Sequence, residues 1–248
     1  MQAVRCDLQV AFDSFDVDCR TEEGRKKLGM VLDVERRVAV LEWNTKGMTS
    51  LSSAPADLWR LNALQGVNLR NNKLKELPEE ISMLTALTDL YLSGNQFTSL
   101  PAEILQCASL TDLRISNNKL KSLHADIGQL TSLIELWLAG NKLTSLPAEI
   151  GHLTSLNTLV LNGNRLKELP AEIKRLSSLQ HLELGDIKLT SLPAEIGHLT
   201  SLQKLFLNGN ELKELPAEIK RLTSLERLDL EKTKLTCCLL YTSPSPRD

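Results

Sequence analysis

One string recurs along this chain at a fixed interval, and the recurrence limits what it can fold into more than any other feature. Read as LxxLxLxxNxL, it begins at Leu64 with Val67, Leu69, Asn72 and Leu74, and returns 23 residues later as Leu87, Leu90, Leu92, Asn95 and Phe97. It starts again at Leu110, Leu133, Leu156, Leu179, Leu202 and Leu225, which makes eight registers, the last cut short. Val38, Leu41, Trp43, Met48 and Leu51 form a degenerate earlier copy, with a small insertion before Leu58. A fixed period of this length is the signature of a stacked array, in which each unit is too small to bury its own apolar edge and its neighbours do so instead.

Each register has two parts. The Leu-x-Leu piece alternates with period two, as a short strand with one buried face does. The second piece, exemplified by Leu146, Pro147, Ala148, Glu149 and Ile150, puts a proline where a helical turn can begin and an acid in its first turn. Ile150 and Leu153 then face inward. The composition agrees: 42% of residues are hydrophobic but only 4% are aromatic, as expected when many alike layers each need the same medium-sized aliphatic side chain.

Between strand and returning arm stands an asparagine column: Asn72, Asn95, Asn118, Asn141, Asn164 and Asn210. The chain turns there inside the stack, where backbone groups are away from water. An Asn amide both donates and accepts, so it satisfies those groups and bridges to the next coil. These six are expected to be structural. Ile187 and Thr233 interrupt the column, which predicts a locally irregular coil near Asp186 and Ile187.

These motifs resemble the leucine-rich repeat superfamily, in its 23-residue class with LPxxI in the returning arm. Intracellular Ras-pathway scaffolds, Scribble-type polarity proteins and plant Ras-group-related repeat proteins are built on that pattern. The resemblance covers residues 38–236 and implies an α/β solenoid. Its expected form is a curved right-handed coil, with a parallel sheet lining the concave face and short helical or 3-10 turns on the convex side.

The ends do not repeat. Residues 1–37 are expected to form an N-terminal cap over the first coil, with a helix starting at Thr21, Glu22 and Glu23 and an apolar stripe of Leu28, Val31 and Leu32. Residues 238–248 resemble the in-frame translation of a sequencing-library adapter, so 237–248 is read as a non-native tail and the repeats as part of a longer protein.

Charge and cysteine usage narrow the function classes. A net charge of −2 provides no basic field for a phosphate backbone, which speaks against nucleic acid as the partner. No run of about 18 apolar residues is present, and the first residues show no basic stretch followed by an apolar one. The five cysteines form neither a paired framework nor a metal-ligand spacing, and Cys107 fills a column otherwise held by leucine. Together these point to a reducing, cytoplasmic setting with no membrane partner, metal or cofactor.

Comparison of the repeats with one another locates the candidate site. The string LPAEIGHLTSL occurs twice unchanged, from Leu146 and from Leu192. By contrast, the residue between the two strand leucines differs in every copy: Asn68, Tyr91, Arg114, Trp137, Val160, Glu183, Phe206 and Asp229. A face that needed only solvation would not carry Tyr, Trp and Phe. Two positions earlier stand Gly66, Asp89, Asp112, Glu135, Thr158, His181, Lys204 and Arg227, so the first half is acidic around Tyr91 and Trp137. At about 4.8 Å per strand the eight coils offer roughly 35 Å of face, enough for an interface of about 800 Å² per partner. The partner-binding set is therefore Tyr91, Arg114, Trp137, Val160, Glu183 and Phe206, flanked by Asp89, Asp112 and Glu135, with Trp137 as its centre.

No catalytic residues are expected. His152 and His198 share a convex column two coils apart, too far to hold one metal. His181 beside Glu183 has no nucleophile in any recognised arrangement, and no phosphate-binding or kinase motif occurs. The expectation is a protein-binding scaffold or adaptor in signalling, with a small GTPase or phosphatase as the partner the resemblance suggests. Two alternatives stand beside it: the recognition arm of a truncated kinase or ubiquitin ligase, and an immune-type receptor ectodomain.

Overall fold

The computed structural model describes residues 30–32, 38–43, 47–51, 56–61 and 63–235. The tail at 237–248 and most of the capping segment at 1–37 lie outside the described residues.

Ten short strands form one sheet in strict sequence order. They are β1 (Met30–Leu32), β2 (Val38–Glu42), β3 (Gly66–Asn68), β4 (Asp89–Tyr91), β5 (Asp112–Arg114), β6 (Glu135–Trp137), β7 (Thr158–Val160), β8 (His181–Glu183), β9 (Lys204–Phe206) and β10 (Arg227–Asp229). From β2 to β10 every neighbouring pair is parallel, and from β3 onward the register repeats with the 23-residue period. This is an α/β leucine-rich repeat solenoid. The helix expected from Thr21 does not extend through the apolar stripe at Val31 and Leu32. There β1 pairs antiparallel with β2, covering the first edge of the sheet with a strand.

A three-residue strand exposes its first and third residues on the concave face and buries the second. The middle leucines Leu90, Leu113, Leu136, Leu159, Leu182 and Leu205 are all 0% exposed. Each returning arm is a single 3-10 turn of five residues, such as Ala148–His152, preceded there by a proline in extended conformation (Pro147, φ −68°, ψ 152°) and at Ala125–Gln129 by His124. The proline has no N–H to lose and a φ already suited to turn entry, so it starts the turn at no cost. Ile150 points into the core and Leu153 closes the turn with its N–H on the Ile150 carbonyl. Adjacent arms press so close that a Cβ on Gly151 would sit 2.6 Å from the Glu172 carbonyl of the next coil. The core that results is one continuous column of aliphatic side chains from Leu41 to Leu222.

The asparagines bind the turns together, but toward the preceding coil and not the next. Asn95 Nδ2 donates to the Leu69 carbonyl one coil back (2.8 Å) and to Leu92 in its own coil (3.0 Å), while its Oδ1 accepts the Leu74 N–H (3.0 Å). Asn118, Asn141 and Asn164 repeat the same set. All six are buried. At Ile187 the pattern fails. Among the described residues the Leu166 N–H, which an asparagine there would receive, has no partner. Lys188 takes φ 62°, where its counterparts in the other coils remain at negative φ, and the bond its N–H would make to Leu166 is missing. The irregularity expected at this coil is therefore a change of backbone region with the loss of three bonds between coils, the third being the one an amide at 187 would donate to the Leu161 carbonyl.

Candidate functional site

The strand register fixes the site. Because β4, β5 and β6 pair without offset, Asp89, Asp112 and Glu135 lie in one row across the sheet and Tyr91, Arg114 and Trp137 in the next. The two rows interlock through Arg114. Its Nε and Nη2 grip Asp112 (2.9 and 2.8 Å), and Nη2 also reaches Glu135 Oε2 (2.9 Å). That fork places the guanidinium carbon 5.2 Å from the Tyr91 ring centroid and 4.8 Å from that of Trp137. Trp137 Nε1 donates to the same Glu135 oxygen (2.9 Å), and the Tyr91 hydroxyl donates to Asp112 (3.2 Å) and Asp89 (3.4 Å).

Electrostatics follow from this packing. Partial burial, and after it the charges of Asp112 and Asp89, push the Tyr91 phenol up to about 12, so it remains a donor to both carboxylates. The hydrogen bond that Arg114 donates to Asp112 is the largest influence holding the guanidinium cationic. The aromatic rings are thus tied edge-on into a half-buried lattice of charge and do not lie loose on the surface.

A second cluster occupies the other half of the face. A ring nitrogen of His181 lies 2.7 Å from Glu183 Oε1, and Asn162 Nδ2 donates to the other oxygen of Glu183. His181 stacks on Phe206 (centroids 5.4 Å apart, 27° between planes), and the Arg227 guanidinium lies 4.9 Å from the same ring centroid. Phe206 is therefore held between two basic side chains.

Of the residues singled out from the sequence, Tyr91, Arg114, Trp137 and their three acidic neighbours come together in the first cluster, and Glu183 and Phe206 in the second. Val160 is the correction. It is 2% exposed, a short side chain between the taller Trp137 and Glu183 in the same row, and offers almost no contact surface. Arg70, which the sequence reading passed over, stands 4.3 Å over the Tyr91 ring. It sits two positions past its strand, in the column Arg70, Ser93, Ser116 and Ala139; extending the comparison of repeats by one column would have found it.

Among the described residues no three His, Cys, Asp or Glu side chains are grouped as metal ligands, and no helix is long and apolar enough to cross a membrane. Cys107 is buried, and burial pushes its thiol up to about 11, away from the reactive thiolate.

The architecture is shared with known proteins. The family model for a leucine-rich repeat region matches residues 31–143 and 172–239, and one for paired leucine-rich repeats matches 131–174. No curated protein matches in sequence. A leucine-rich repeat protein of Leptospira interrogans is 35% identical with a TM-score of 0.77, over 88% of this chain and 59% of that one. The ectodomain of the Arabidopsis receptor kinase HAESA, solved with the peptide hormone IDA and the co-receptor SERK1, is 25% identical with a TM-score of 0.77, over 94% and 42%. That of GASSHO1/SCHENGEN3, solved with CASPARIAN STRIP INTEGRITY FACTOR 2, is 36% identical with a TM-score of 0.65, over 73% and 23%. The chain thus spans well under two thirds of these relatives. With the repeat, the single parallel sheet and the family match in agreement, the chain belongs to the leucine-rich repeat family.

Proposed function

We propose that this chain is a protein-binding module whose concave face holds a partner through Tyr91, Arg114, Trp137 and Phe206. The observation that carries the reading is the contrast between columns. The coils share their core leucines, and from Leu146 onward alternate coils share their returning arms almost residue for residue, yet no two share the side chain at the third strand position. Aromatic and arginine side chains in a partly desolvated patch are the usual anchors of protein interfaces. Among its relatives, the HAESA ectodomain is described in complex with a peptide and a second protein.

The finer reading is a cytoplasmic scaffold or adaptor in signalling, of the 23-residue LPxxI class, with a small GTPase or phosphatase as its partner. A Tyr91/Trp137/Phe206 triple alanine variant tests the site: it keeps its fold by circular dichroism and loses partner capture. Full retention of the partner by that folded variant would remove the concave face from consideration. The second reading, a recognition arm within a larger receptor or enzyme, draws on the receptor-kinase relatives, of which this chain covers 42% and 23%. A longer transcript encoding a kinase or ligase domain in frame with these repeats would decide for it.

A further inference from the structure

Residues 142–187 and 188–233 are the same 46-residue string apart from eleven positions. Nine of those eleven fall between the residue just before a strand and the turn that closes it, at 157–160 and 180–187. The exposed returning arms, with Lys174 and Arg175 repeated as Lys220 and Arg221, are unchanged. Exposure frees a residue from the demands of folding on both sides of the solenoid, so drift alone would scatter differences over both. Four of the differences, at 158, 160, 181 and 183, stand at the first and third positions of a strand.

Two of those differences add positive charge at the first strand position. Thr158 in the first copy stands where Lys204 does in the second, and His181 where Arg227 does. The first-position row therefore runs from Asp89, Asp112 and Glu135 on β4–β6 to His181, Lys204 and Arg227 on β8–β10. Neither end is fully neutralised from within, although Glu183, bonded to His181, and Asp229 stand in the next row at the basic end. Arg114 pairs with Asp112 and Glu135 but not with Asp89, which among the described residues accepts from the Thr88 and Tyr91 hydroxyls. Lys204 and Arg227 are exposed, and neither has a carboxylate at ion-pair distance among the described residues.

We infer that the occupant of the concave face is an extended segment of another protein that is itself dipolar, with basic residues over β4–β6 and acidic residues over β8–β10. The inference rests on the protein-binding reading above and adds the chemistry of the partner. Charge complementarity along one row selects register and direction, and suppresses wrong partners more than it raises affinity. The centres of the two charged ends, on β5 and β9, are four strand spacings apart, about 19 Å, which an extended chain covers in about six residues.

The test uses two labelled, end-capped peptides of one composition and fluorescence anisotropy. The dipolar peptide is Lys-Arg-Lys-Gly-Ser-Gly-Glu-Asp-Glu, whose charge centres are six residues apart; its isomer is Lys-Glu-Gly-Arg-Asp-Ser-Lys-Glu-Gly. The dipolar peptide should bind roughly tenfold more tightly than the isomer at low ionic strength, and the ratio should shrink as salt is added. A K204E/R227E variant, altered only at exposed side chains, should keep the melting temperature of the wild type and lose the preference. Equal binding of the two peptides, or no binding of either, overturns the inference, as does self-association of the chain that the same variant abolishes. Equal binding that the Tyr91/Trp137/Phe206 variant eliminates would leave the concave face as the site while removing the dipole.

Discussion

Two columns of side chains run the length of this solenoid, both hydrogen-bonded from coil to coil, and they behave in opposite ways. The asparagine column is buried and repeats one residue at six coils. The column of Tyr91, Arg114, Trp137, Glu183 and Phe206 is half-exposed and never repeats. A buried turn leaves carbonyls and N–H groups that only an amide of that length can serve at once, so the first column has one good answer. On the concave face water can satisfy whatever a neighbour does not, so the second column can carry a different chemistry in each coil. Constancy marks where the fold sets the residue, and variation marks where the fold is indifferent and binding is free to choose.

Substitutions can break or sharpen that contrast. The largest effect is expected for Asn141→Ala, which strands the Leu120 N–H away from water and leaves the Ile115 and Leu138 carbonyls with one donor each, Asn118 and Asn164. With about 1–3 kcal/mol for an unsatisfied buried group, a loss of about 2 kcal/mol is expected in urea unfolding. A loss below 1 kcal/mol would mean that water replaces the amide and that the column is not what binds the turns. Next comes the broken turn. Lys188→Gly should stabilise by about 1 kcal/mol, because a left-handed backbone costs an L-residue about that much, whereas Lys142→Gly in a regular coil should destabilise by a similar amount. The same sign at both sites would show that the strain at Lys188 is relieved elsewhere.

Smaller still is Trp137→Ala in the variable column, expected to cost less than about 1 kcal/mol, since the ring is only partly buried and the Glu135 carboxylate it leaves behind can turn to water. A cost near that of Asn141→Ala would collapse the distinction between the columns. The finest test is a titration. In a Tyr241→Phe background Tyr91 is the one remaining tyrosine, and its ultraviolet absorbance should change with a midpoint near 12. Asp112→Asn should move the midpoint down toward the ordinary 10.0, part of the way, because burial remains the larger cause. The sign for stability follows: folding favours the protonated phenol, so its contribution is intact below pH 10 and is lost as pH rises toward 12.

The repeats, the buried asparagines and the row of variable residues are legible in the amino-acid string because each depends on a period, and a period survives without coordinates. The irregular coil was legible as well, since Ile187 stands where an amide is needed. The first edge was not. Leu28, Val31 and Leu32 have a spacing that fits a helix, yet Met30–Leu32 pairs with β2, because an open sheet edge offers unpaired backbone groups that outweigh local spacing.

The sequence by itself determined that the chain stacks in layers, which side chains line the core and which column is free to vary, because those are consequences of spacing along one strand. Only the tertiary structure decided what the variable residues do to one another. Arg114 becomes a shared cation for Asp112 and Glu135 and a bridge between the Tyr91 and Trp137 rings, Arg70 joins from a third column, and Val160 sinks between its neighbours. Those relations cross from coil to coil, at right angles to the chain, where side-chain length and strand register together set who touches whom.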